Sequence, residues 1–220
     1  ILQLMNVIEM FASIDGEGSR QGFLCTFLRL YDCNIRCSYC DTTYSYGPEV
    51  DYEQLTVQEV TDKIEQLGNH RVTITGGEPL LQEPEVIELI DELTKRNKQY
   101  DFNIETNGTI VPSFHRDNVF FTYDYKGPSS LAEDSMNLDI MKAATERDLL
   151  KFVVGTPQDL DRMRRVLETY PTKAQAYVSP IWGQIEAVTI VDYMKDHNLQ
   201  NVRLQLQIHK FIWDPNEKGV

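Results

Sequence analysis

Short apolar runs of β-rich composition alternate with amphipathic stretches along the chain. Residues 23–31 (FLCTFLRLY) are the first run that we interpret as a β-strand. Further strands are predicted at residues 71–75, 102–105, 119–125, 149–154, 174–178 and 202–208. Helices are predicted between them, because apolar positions there recur with the 3.6-residue period of an α-helix.

Capping signals mark the ends of the predicted helices. Thr56 and Glu59 have the spacing of a capping box and Gly68 is a stop signal, which predicts a helix over the residues between them. The remaining helices are predicted from Pro84 onwards, near residues 136–144, from Thr156-Pro157 through Leu167, and near residues 186–197.

This alternation predicts an α/β fold in a single domain, residues 1–220. About seven strands and five or six helices imply a mainly parallel sheet. A closed eightfold barrel usually needs about 250 residues, so we expect a partial, open TIM-like barrel of parallel strands with outer helices. Chemistry in such folds gathers at the carboxyl ends of the strands. Those ends are predicted to hold Cys33, Gly76-Gly77, residues 105–108, Lys126 and Ser179-Pro180.

Composition and charge narrow the classes of function. The net charge of −13 repels phosphate backbones and anionic lipids, so we expect no nucleic-acid partner and no membrane partner. No run approaches the ~20 apolar residues of a membrane span. The first ten residues show no basic segment or cleavage site, so we expect no secretory signal. Three of the four cysteines fall within eight positions, which favours a metal site in the reducing cytoplasm over a disulfide framework.

Cys33, Cys37 and Cys40 follow the first predicted strand with the spacing C-x3-C-x2-C. Thiolates suit iron–sulfur clusters and zinc. Cys25 lies eight residues before Cys33, and eight extended residues span about 26 Å, so we expect Cys25 to be a buried core thiol. Three cysteine ligands leave one iron of a cubane open, which suits a cluster that binds a substrate or cofactor. The alternative is a zinc knuckle that borrows a histidine.

Two segments resemble radical S-adenosylmethionine (radical SAM) enzymes. Residues 33–40 (CNIRCSYC) are similar to their cluster-binding loop, including the aromatic residue before the last cysteine. Residues 75–80 (TGGEPL) resemble their glycine-rich loop, whose backbone receives the methionyl amino group of the cofactor. The glycines permit close approach of that backbone, and Glu78 is suited to position the loop. The resemblance implies a [4Fe-4S] cluster and S-adenosylmethionine as cofactors.

A narrower resemblance covers nearly the whole chain. The segments similar to the 7-carboxy-7-deazaguanine synthase family are residues 14–18 with Gly22, 27–30, 40–42, 105–108, 126–129 and 207–210. This resemblance implies conversion of 6-carboxy-5,6,7,8-tetrahydropterin to 7-carboxy-7-deazaguanine with loss of ammonia, on the route to queuosine and related deazapurines. It also implies Mg²⁺ as a further cofactor, a homodimer, and a reducing partner such as flavodoxin.

Residue roles follow by position from the same resemblance. Cys33, Cys37 and Cys40 would hold the cluster, and Thr42 matches a threonine linked to Mg²⁺, which takes oxygen ligands. The residues expected to contact the substrate are Ile14, Asp15, Gly16, Arg29, Thr75 and Val220. The residues expected to contact S-adenosylmethionine are Tyr39, Gly76, Gly77, Glu78, Glu105, Asn107, Lys126, Ser179 and Pro180.

Several of these residues also have a purely structural interpretation. Arg29 is suited to fork onto the substrate carboxylate with two charge-assisted hydrogen bonds, but it could instead form a surface ion pair. Thr42 could be an ordinary turn residue, and Glu105 with Asn107 could be a polar strand end. The main chain of Val220, its carboxylate included, would face the pterin if the chain end folds back, whereas most termini are frayed.

One departure and two rival functions remain. The family commonly has Gln where this chain has Asp15. The Asp15 carboxylate would be repelled by the substrate carboxylate unless it faces the amino edge of the pterin.

A glycyl-radical activating enzyme is the nearest rival. It shares the cysteine spacing and glycine loop but acts on the backbone of a protein. A non-enzymatic electron carrier or zinc-binding module is the rival from another class.

Overall fold

One nine-stranded sheet runs through residues 3–220, the part of the chain that the computed structural model describes. The strands are β1 (Leu4–Ile14), β2 (Leu24–Leu30), β3 (Glu53–Thr56), β4 (Arg71–Gly76), β5 (Asp101–Thr106), β6 (Val119–Tyr125), β7 (Leu149–Val154), β8 (Gln175–Pro180) and β9 (Val202–Leu204). Their order across the sheet is β3-β1-β2-β4-β5-β6-β7-β8-β9.

The pairing is mainly parallel. From β2 through β4 to β9 every neighbouring pair is parallel, whereas β1 pairs antiparallel with both β2 and β3. Among the described strands β3 and β9 remain the two edges, so the barrel stays open. The predicted α/β fold, a partial and open TIM-like barrel, is therefore confirmed. Because the parallel strands share one direction, their carboxyl ends meet at one edge of the sheet.

Helices connect most of the parallel strands. They are α1 (Val57–Leu67), α2 (Glu83–Arg96), α3 (Ile140–Ala143), α4 (Pro157–Thr169), α5 (Ala187–Asp196) and α6 (His209–Ile212). Val60 and Ile64 of α1 and Leu89 and Leu93 of α2 are fully buried in the same core as the apolar strand residues. Within residues 3–220 no helix combines the length and the apolar character needed to cross a lipid bilayer.

The predicted capping box sets the start of α1. Thr56 accepts a hydrogen bond from the Glu59 N–H, and the Glu59 side chain accepts one from the Thr56 N–H. Gly68 ends the helix with a φ of 78°, in the left-handed region where glycine carries no steric penalty. Thr156 and Asp159 form the same reciprocal pair at the start of α4. Both helix starts predicted from capping are confirmed.

The strand at residues 23–31 is predicted to be the first along the chain. In the structure it is the second strand, because β1 precedes it. The register between β1 and β2 shifts between Val7 and Glu9, which marks a β-bulge. Val7 before the bulge is buried in the core, whereas Phe11 beyond it faces the barrel interior. An unbroken strand would place these two positions on one face. The bulge therefore breaks the alternation that predicts strands, and the short edge strand β3 likewise gives no signal.

Two predicted elements are shorter than expected. The helix near residues 136–144 is reduced to α3, because an Asx turn at Asn137 delays its start. The strand predicted over residues 202–208 is reduced to β9. Gln205 beyond it is buried and exchanges two side-chain hydrogen bonds of 2.7 and 3.0 Å with the backbone of Gly18, so the chain leaves the sheet there.

The carboxylate of Asp159 joins the start of α4 to the loop after β6. It accepts hydrogen bonds from the N–H groups of Gly155 and Thr156, and from the N–H and hydroxyl of Ser129. We predict that Asp159→Ala lowers the free energy of unfolding by about 3 kcal/mol or more, because one buried and several partly buried donors lose their acceptor. Glu59→Ala, which removes the exposed carboxylate from the equivalent position of α1, is the matched control. Urea unfolding of the metal-free variants measures both losses, and equal losses would contradict the prediction.

Candidate active site

The carboxyl ends of the parallel strands surround a cavity of about 300 Å³. The predicted site residues that line it are Ile14, Asp15, Gly16, Arg29, Cys33, Cys37, Tyr39, Cys40, Thr42, Thr75, Gly76, Gly77, Glu105, Asn107, Lys126 and Val220. Glu78, Ser179 and Pro180 do not line it. The sequence therefore assembles most of its candidate residues around one space, and the roles of all of them stay predictions.

The three clustered cysteines lie on the loop after β2. All three thiols are free and partly exposed to the cavity, whereas Cys25 is fully buried within β2 and does not line it. Within residues 3–220 no three His, Cys, Asp or Glu side chains converge as they would around a single metal ion. The three ligands of a cubane bind three different irons, so they need not converge on one point. The donor set fits a [4Fe-4S] cluster with one open iron.

The glycine-rich loop after β4 is pressed against the backbone after β2. A Cβ atom on Gly76 would lie 2.2 Å from the carbonyl oxygen of Leu30, and one on Gly77 would lie 1.9 Å from that of Asp32. Such contacts are impossible, so both positions require glycine. The two glycines thus bring the loop that is expected to meet S-adenosylmethionine against the cysteine loop.

Glu78 lies beneath this loop and is completely buried. Its carboxylate accepts hydrogen bonds from the N–H of Leu80, from the Thr106 hydroxyl and from the N–H of Asn107. Burial raises the pKa of Glu78, and these hydrogen bonds oppose the shift. Glu78 therefore ties the ends of β4 and β5 together, in agreement with its predicted part in positioning the loop.

Asn107 connects the end of β5 to the cysteine loop. Its side-chain amide donates to the Asn34 side chain at 2.9 Å and lies 3.7 Å from the sulfur of Cys33.

Ser179, in contrast, is fully buried in β8, and its hydroxyl has no partner within residues 3–220. Ser179 and Pro180 end a strand at the same edge as the cavity, but behind its lining.

Buried charges line the interior of the barrel. The Lys126 ammonium donates to Asp124 at 2.7 Å, and Lys151 on β7 contacts Glu17 at 3.1 Å and Asp124 at 3.5 Å. Burial alone would lower the pKa of both lysines, but the carboxylates beside them hold each pKa above its usual range. Both side chains are therefore ammonium ions at neutral pH, and their positive charge faces the cavity.

Glu105 on β5 is the exception in this network. Neither a backbone nor a side-chain group within residues 3–220 hydrogen-bonds its carboxylate. Burial raises the pKa of Glu105 to about 7, although the nearby Lys151 acts to lower it. A carboxylate that lacks protein donors and faces a cavity is suited to bind hydroxyl or N–H donors of a ligand.

Arg29 on β2 faces the cavity, and its side chain is 13% exposed. Its Nε donates to Glu9 on β1 at 2.7 Å. Within residues 3–220 neither terminal nitrogen donates to another protein group, so the end of the guanidinium is open to a ligand. The ion pair that was the structural alternative is present, and it leaves the predicted carboxylate-binding fork free.

The carboxylate of Asp15 is engaged within the protein. One oxygen accepts a hydrogen bond from the Thr73 hydroxyl at 3.0 Å, and the other lies 3.2 Å from Nε of Arg20. Burial raises the pKa of Asp15, and Arg20 and Thr73 oppose that shift. Asp15 and Arg20 are 2% and 7% exposed, so this is a buried ion pair. The negative charge that the usual Gln would not carry is therefore compensated by Arg20.

Residues 214–220 cover one side of the cavity and contribute Val220 to its lining. The expectation that the chain end folds back over the site agrees with this placement of residues 214–220.

Two further residues border the site. Thr42 lies on the cysteine loop, and its hydroxyl is 3.8 Å from the sulfur of Cys40. His209 packs against Gly16, where a Cβ atom would lie 2.0 Å from Nδ1 of the imidazole.

Sequence reasoning did not assign several charged residues that line or support the site. They are Glu9, Glu17, Arg20, Asp124 and Lys151. Asp124 and Lys151 lie inside mostly apolar strands, VFFTYDY and LLKFVV. A charge within an apolar strand is a signal that the residue faces a polar interior or a ligand, and this signal could have found both.

The open parallel barrel, with a three-cysteine loop and a glycine-rich loop at its carboxyl edge, is that of a radical SAM enzyme, a class that uses a [4Fe-4S] cluster and S-adenosylmethionine. The model of the radical SAM superfamily matches residues 29–120. The chain is 40% identical to the 7-carboxy-7-deazaguanine synthase of Clostridium acetobutylicum, over 97% of this chain and 98% of that protein. It is also 40% identical to the 7-carboxy-7-deazaguanine synthase of Methanospirillum hungatei, over 96% of this chain and 86% of that protein. The chain belongs to the 7-carboxy-7-deazaguanine synthase family.

The fold agrees with this membership. The crystal structure of QueE from Escherichia coli superimposes with a TM-score of 0.73 and covers 92% of this chain and 93% of that one. Sequence identity to that structure is 22%, so the comparison concerns the fold alone. The predicted membership in the radical SAM superfamily, and in this family within it, is confirmed.

The Asp15–Arg20 pair generates a prediction about stability. Arg20→Met leaves the Asp15 carboxylate buried without its counter-charge, so we expect the free energy of unfolding to fall by about 3–5 kcal/mol. The double variant Asp15→Asn/Arg20→Met should lose less than the sum of the two single losses, because it removes both charges. Urea unfolding of the metal-free variants measures this coupling. Additive losses would show that the two side chains act independently.

Glu105 generates a prediction about pH. Its folded pKa of about 7 lies above the unfolded value of about 4.3, so the folded protein keeps a proton that the unfolded chain releases. This raised pKa makes the free energy of unfolding decrease as the pH rises from about 4.3 to 7. We predict that metal-free Glu105→Gln loses this dependence and gains on the order of 2 kcal/mol over the wild type between pH 5 and pH 8. Glu88→Gln on α2 is the matched control, and parallel stability curves for the wild type and Glu105→Gln would refute the prediction.

Proposed function

We propose that this chain is the enzyme that converts 6-carboxy-5,6,7,8-tetrahydropterin to 7-carboxy-7-deazaguanine with loss of ammonia, in the biosynthesis of queuosine and related deazapurines. The observation that carries the proposal is the open end of the Arg29 guanidinium, which faces the same cavity as the three-cysteine loop. A fixed guanidinium is suited to bind a carboxylate with two parallel hydrogen bonds. The names of the relatives that match over nearly the whole chain support the same product.

The cofactors have clear candidate binding groups. Cys33, Cys37 and Cys40 would hold the cluster, which together with S-adenosylmethionine would supply the radical chemistry needed at C6 of the pterin. The open Glu105 carboxylate and the glycine-loop backbone would hold S-adenosylmethionine. The remaining residues assigned to it are Tyr39, Asn107, Lys126, Ser179 and Pro180. The protein's own contribution is to orient the two molecules and to exclude water from the space between them.

The substrate would lie on the other side of the cavity. Arg29 would bind its carboxylate, and Thr75, the backbone of residues 14–16 and the main chain of Val220 would meet the pterin ring. Thr42 would supply one oxygen to Mg²⁺, whose other ligands would be substrate oxygens and water. Since Asp15 is already paired with Arg20, we assign its substrate contact to the backbone rather than to the carboxylate.

The rival functions are less well supported. A glycyl-radical activating enzyme acts on the backbone of a protein, whereas this cavity of about 300 Å³ is bordered by residues 214–220 and suits a small molecule. A zinc module or simple electron carrier makes no use of the open Arg29 fork.

We further propose that the protein is a homodimer and that a flavodoxin-like protein reduces its cluster. We also propose that it acts in the cytoplasm, because reducing conditions there keep the cysteines available to the cluster.

One experiment tests the proposed function directly. The protein is reconstituted with iron and sulfide without oxygen, reduced, and incubated with S-adenosylmethionine, Mg²⁺ and the carboxylated pterin. Mass spectrometry is expected to detect 7-carboxy-7-deazaguanine and an equivalent amount of ammonia. Cleavage of S-adenosylmethionine without conversion of the pterin would overturn the assigned substrate. No cleavage at all in protein with full cluster content would overturn the reaction.

The cysteine variants test the cluster assignment. We predict that Cys33→Ala, Cys37→Ala and Cys40→Ala each lose the bound iron and all turnover, because each removes one of three ligands. Cys25→Ala is the matched control and keeps both, since Cys25 is buried in β2 away from the cavity. Iron and sulfide analysis of the four purified variants decides the matter. Loss of iron from folded Cys25→Ala would contradict the assignment.

A further inference from the structure

The β-bulge in β1 places Glu9 directly opposite Arg29. Without the extra residue Ile8 would occupy that position, and Glu9 would face Leu28, which is buried in the core. The bulge therefore turns a carboxylate towards the polar side of the sheet, beside the guanidinium that borders the cavity. Bulges of this kind re-aim single side chains next to active sites.

The carboxylate of Glu9 holds two residues that line the cavity. Its Oε1 accepts a hydrogen bond from Arg29 Nε at 2.7 Å and another from the Tyr44 hydroxyl at 3.0 Å. Glu9 itself does not line the cavity. Any effect that Glu9 has on a ligand must therefore pass through these partners.

The first contact determines which part of Arg29 a ligand can reach. A guanidinium has five N–H donors in a planar fork, and Glu9 occupies the one on Nε. The two terminal nitrogens then remain, and they present a parallel pair of donors that matches a carboxylate end-on. Without Glu9 the long Arg29 side chain would be free to rotate, and a ligand would have to order it at the cost of side-chain entropy.

The second contact links Arg29 to residues 214–220. Lys218 lies 4.1 Å from the centre of the Tyr44 ring, and the Arg29 guanidinium lies 5.6 Å from the same ring. A Cβ atom on Gly219 would lie 3.9 Å from Oε2 of Glu9, so this segment passes against the carboxylate. The Tyr44 hydroxyl, which donates to the other oxygen of that carboxylate, thus lies between Arg29 and this segment.

We propose that Glu9 is a positioning residue that fixes Arg29 end-on to the substrate carboxylate and joins it, through Tyr44, to the segment that covers the site. Glu9 thereby sets the preference of the enzyme for a carboxylated pterin over a pterin without the carboxylate. This inference rests on the proposed function, because it assumes that Arg29 binds the carboxylate of the substrate.

Kinetics of the cluster-loaded enzyme test the proposal. Glu9→Ala is expected to raise the KM for the carboxylated pterin about tenfold to a hundredfold, because Arg29 loses a charge-assisted partner. Glu9→Gln keeps an acceptor oxygen and should recover part of that loss. Cluster content, the KM for S-adenosylmethionine and kcat should stay within about twofold of the wild type, as expected for a loss of uniform binding. Glu53→Gln, an exposed carboxylate on β3 paired with Lys63, is the matched control.

A double-mutant cycle separates positioning from simple structural support. Calorimetry compares the binding of the carboxylated pterin and of tetrahydropterin without the carboxylate. Glu9→Ala and Arg29→Lys should each weaken only the carboxylated ligand, and the double variant should be little worse than Arg29→Lys alone. Equal weakening of both pterins, or additive effects in the double variant, would overturn the role of Glu9.

The outcome also distinguishes this inference from the function on which it rests. If the wild type makes no deazapurine and binds neither pterin, the proposed function fails and the inference fails with it. If the wild type converts the pterin and Glu9→Ala keeps the same KM and the same ligand preference, only the inference is overturned.

Discussion

The site depends on one close backbone contact, between the loop after β2 and the loop after β4. Only glycine at position 77 lets the second loop meet the carbonyl of Asp32, and the Glu78 N–H donates to that same carbonyl at 2.8 Å. The Glu78 carboxylate extends the contact to the end of β5 through Thr106 and Asn107. The three strand ends thus form one rim. The cysteine loop has no regular secondary structure of its own, so its orientation derives from this rim.

The barrel interior contains buried charged side chains as well as apolar ones. Asp15 is compensated by Arg20, and Asp124 by two lysines, so these two carboxylates have a counter-charge before any ligand binds. Glu105 has none within hydrogen-bonding distance among the described residues, and burial raises its pKa to about 7. A folded protein tolerates such a group at a cost in stability. The cost is concentrated at the strand end where a ligand with donor groups would relieve it.

The sequence predicts those features whose signals are local. Capping boxes place the starts of α1 and α4, and a glycine pair after an apolar strand marks the loop at the end of β4. β1 could not be predicted in this way, because its bulge changes the phase of the alternation in mid-strand. The partners of Arg29 and Asp15 were equally out of reach. Glu9 contacts Arg29 across the β1–β2 pair, and Arg20 contacts Asp15 within an irregular turn, so neither contact follows from residue spacing.

The loops expected to hold the cofactors and the residues around Glu9 come from different segments of the chain. The cysteine loop, the glycine loop and the end of β5 all lie within residues 29–120, which match the radical SAM superfamily as a whole. Glu9 and residues 214–220 lie outside that range and meet around Tyr44 beside Arg29. The two loops that the superfamily shares and the residues that would hold Arg29 towards a carboxylated substrate thus come from different parts of the sequence. Arg29 stands at the boundary, on the strand that leads into the cysteine loop. A change in Glu9 or in residues 214–220 is therefore expected to alter which molecule enters the cavity while the rim that would hold the cluster stays intact.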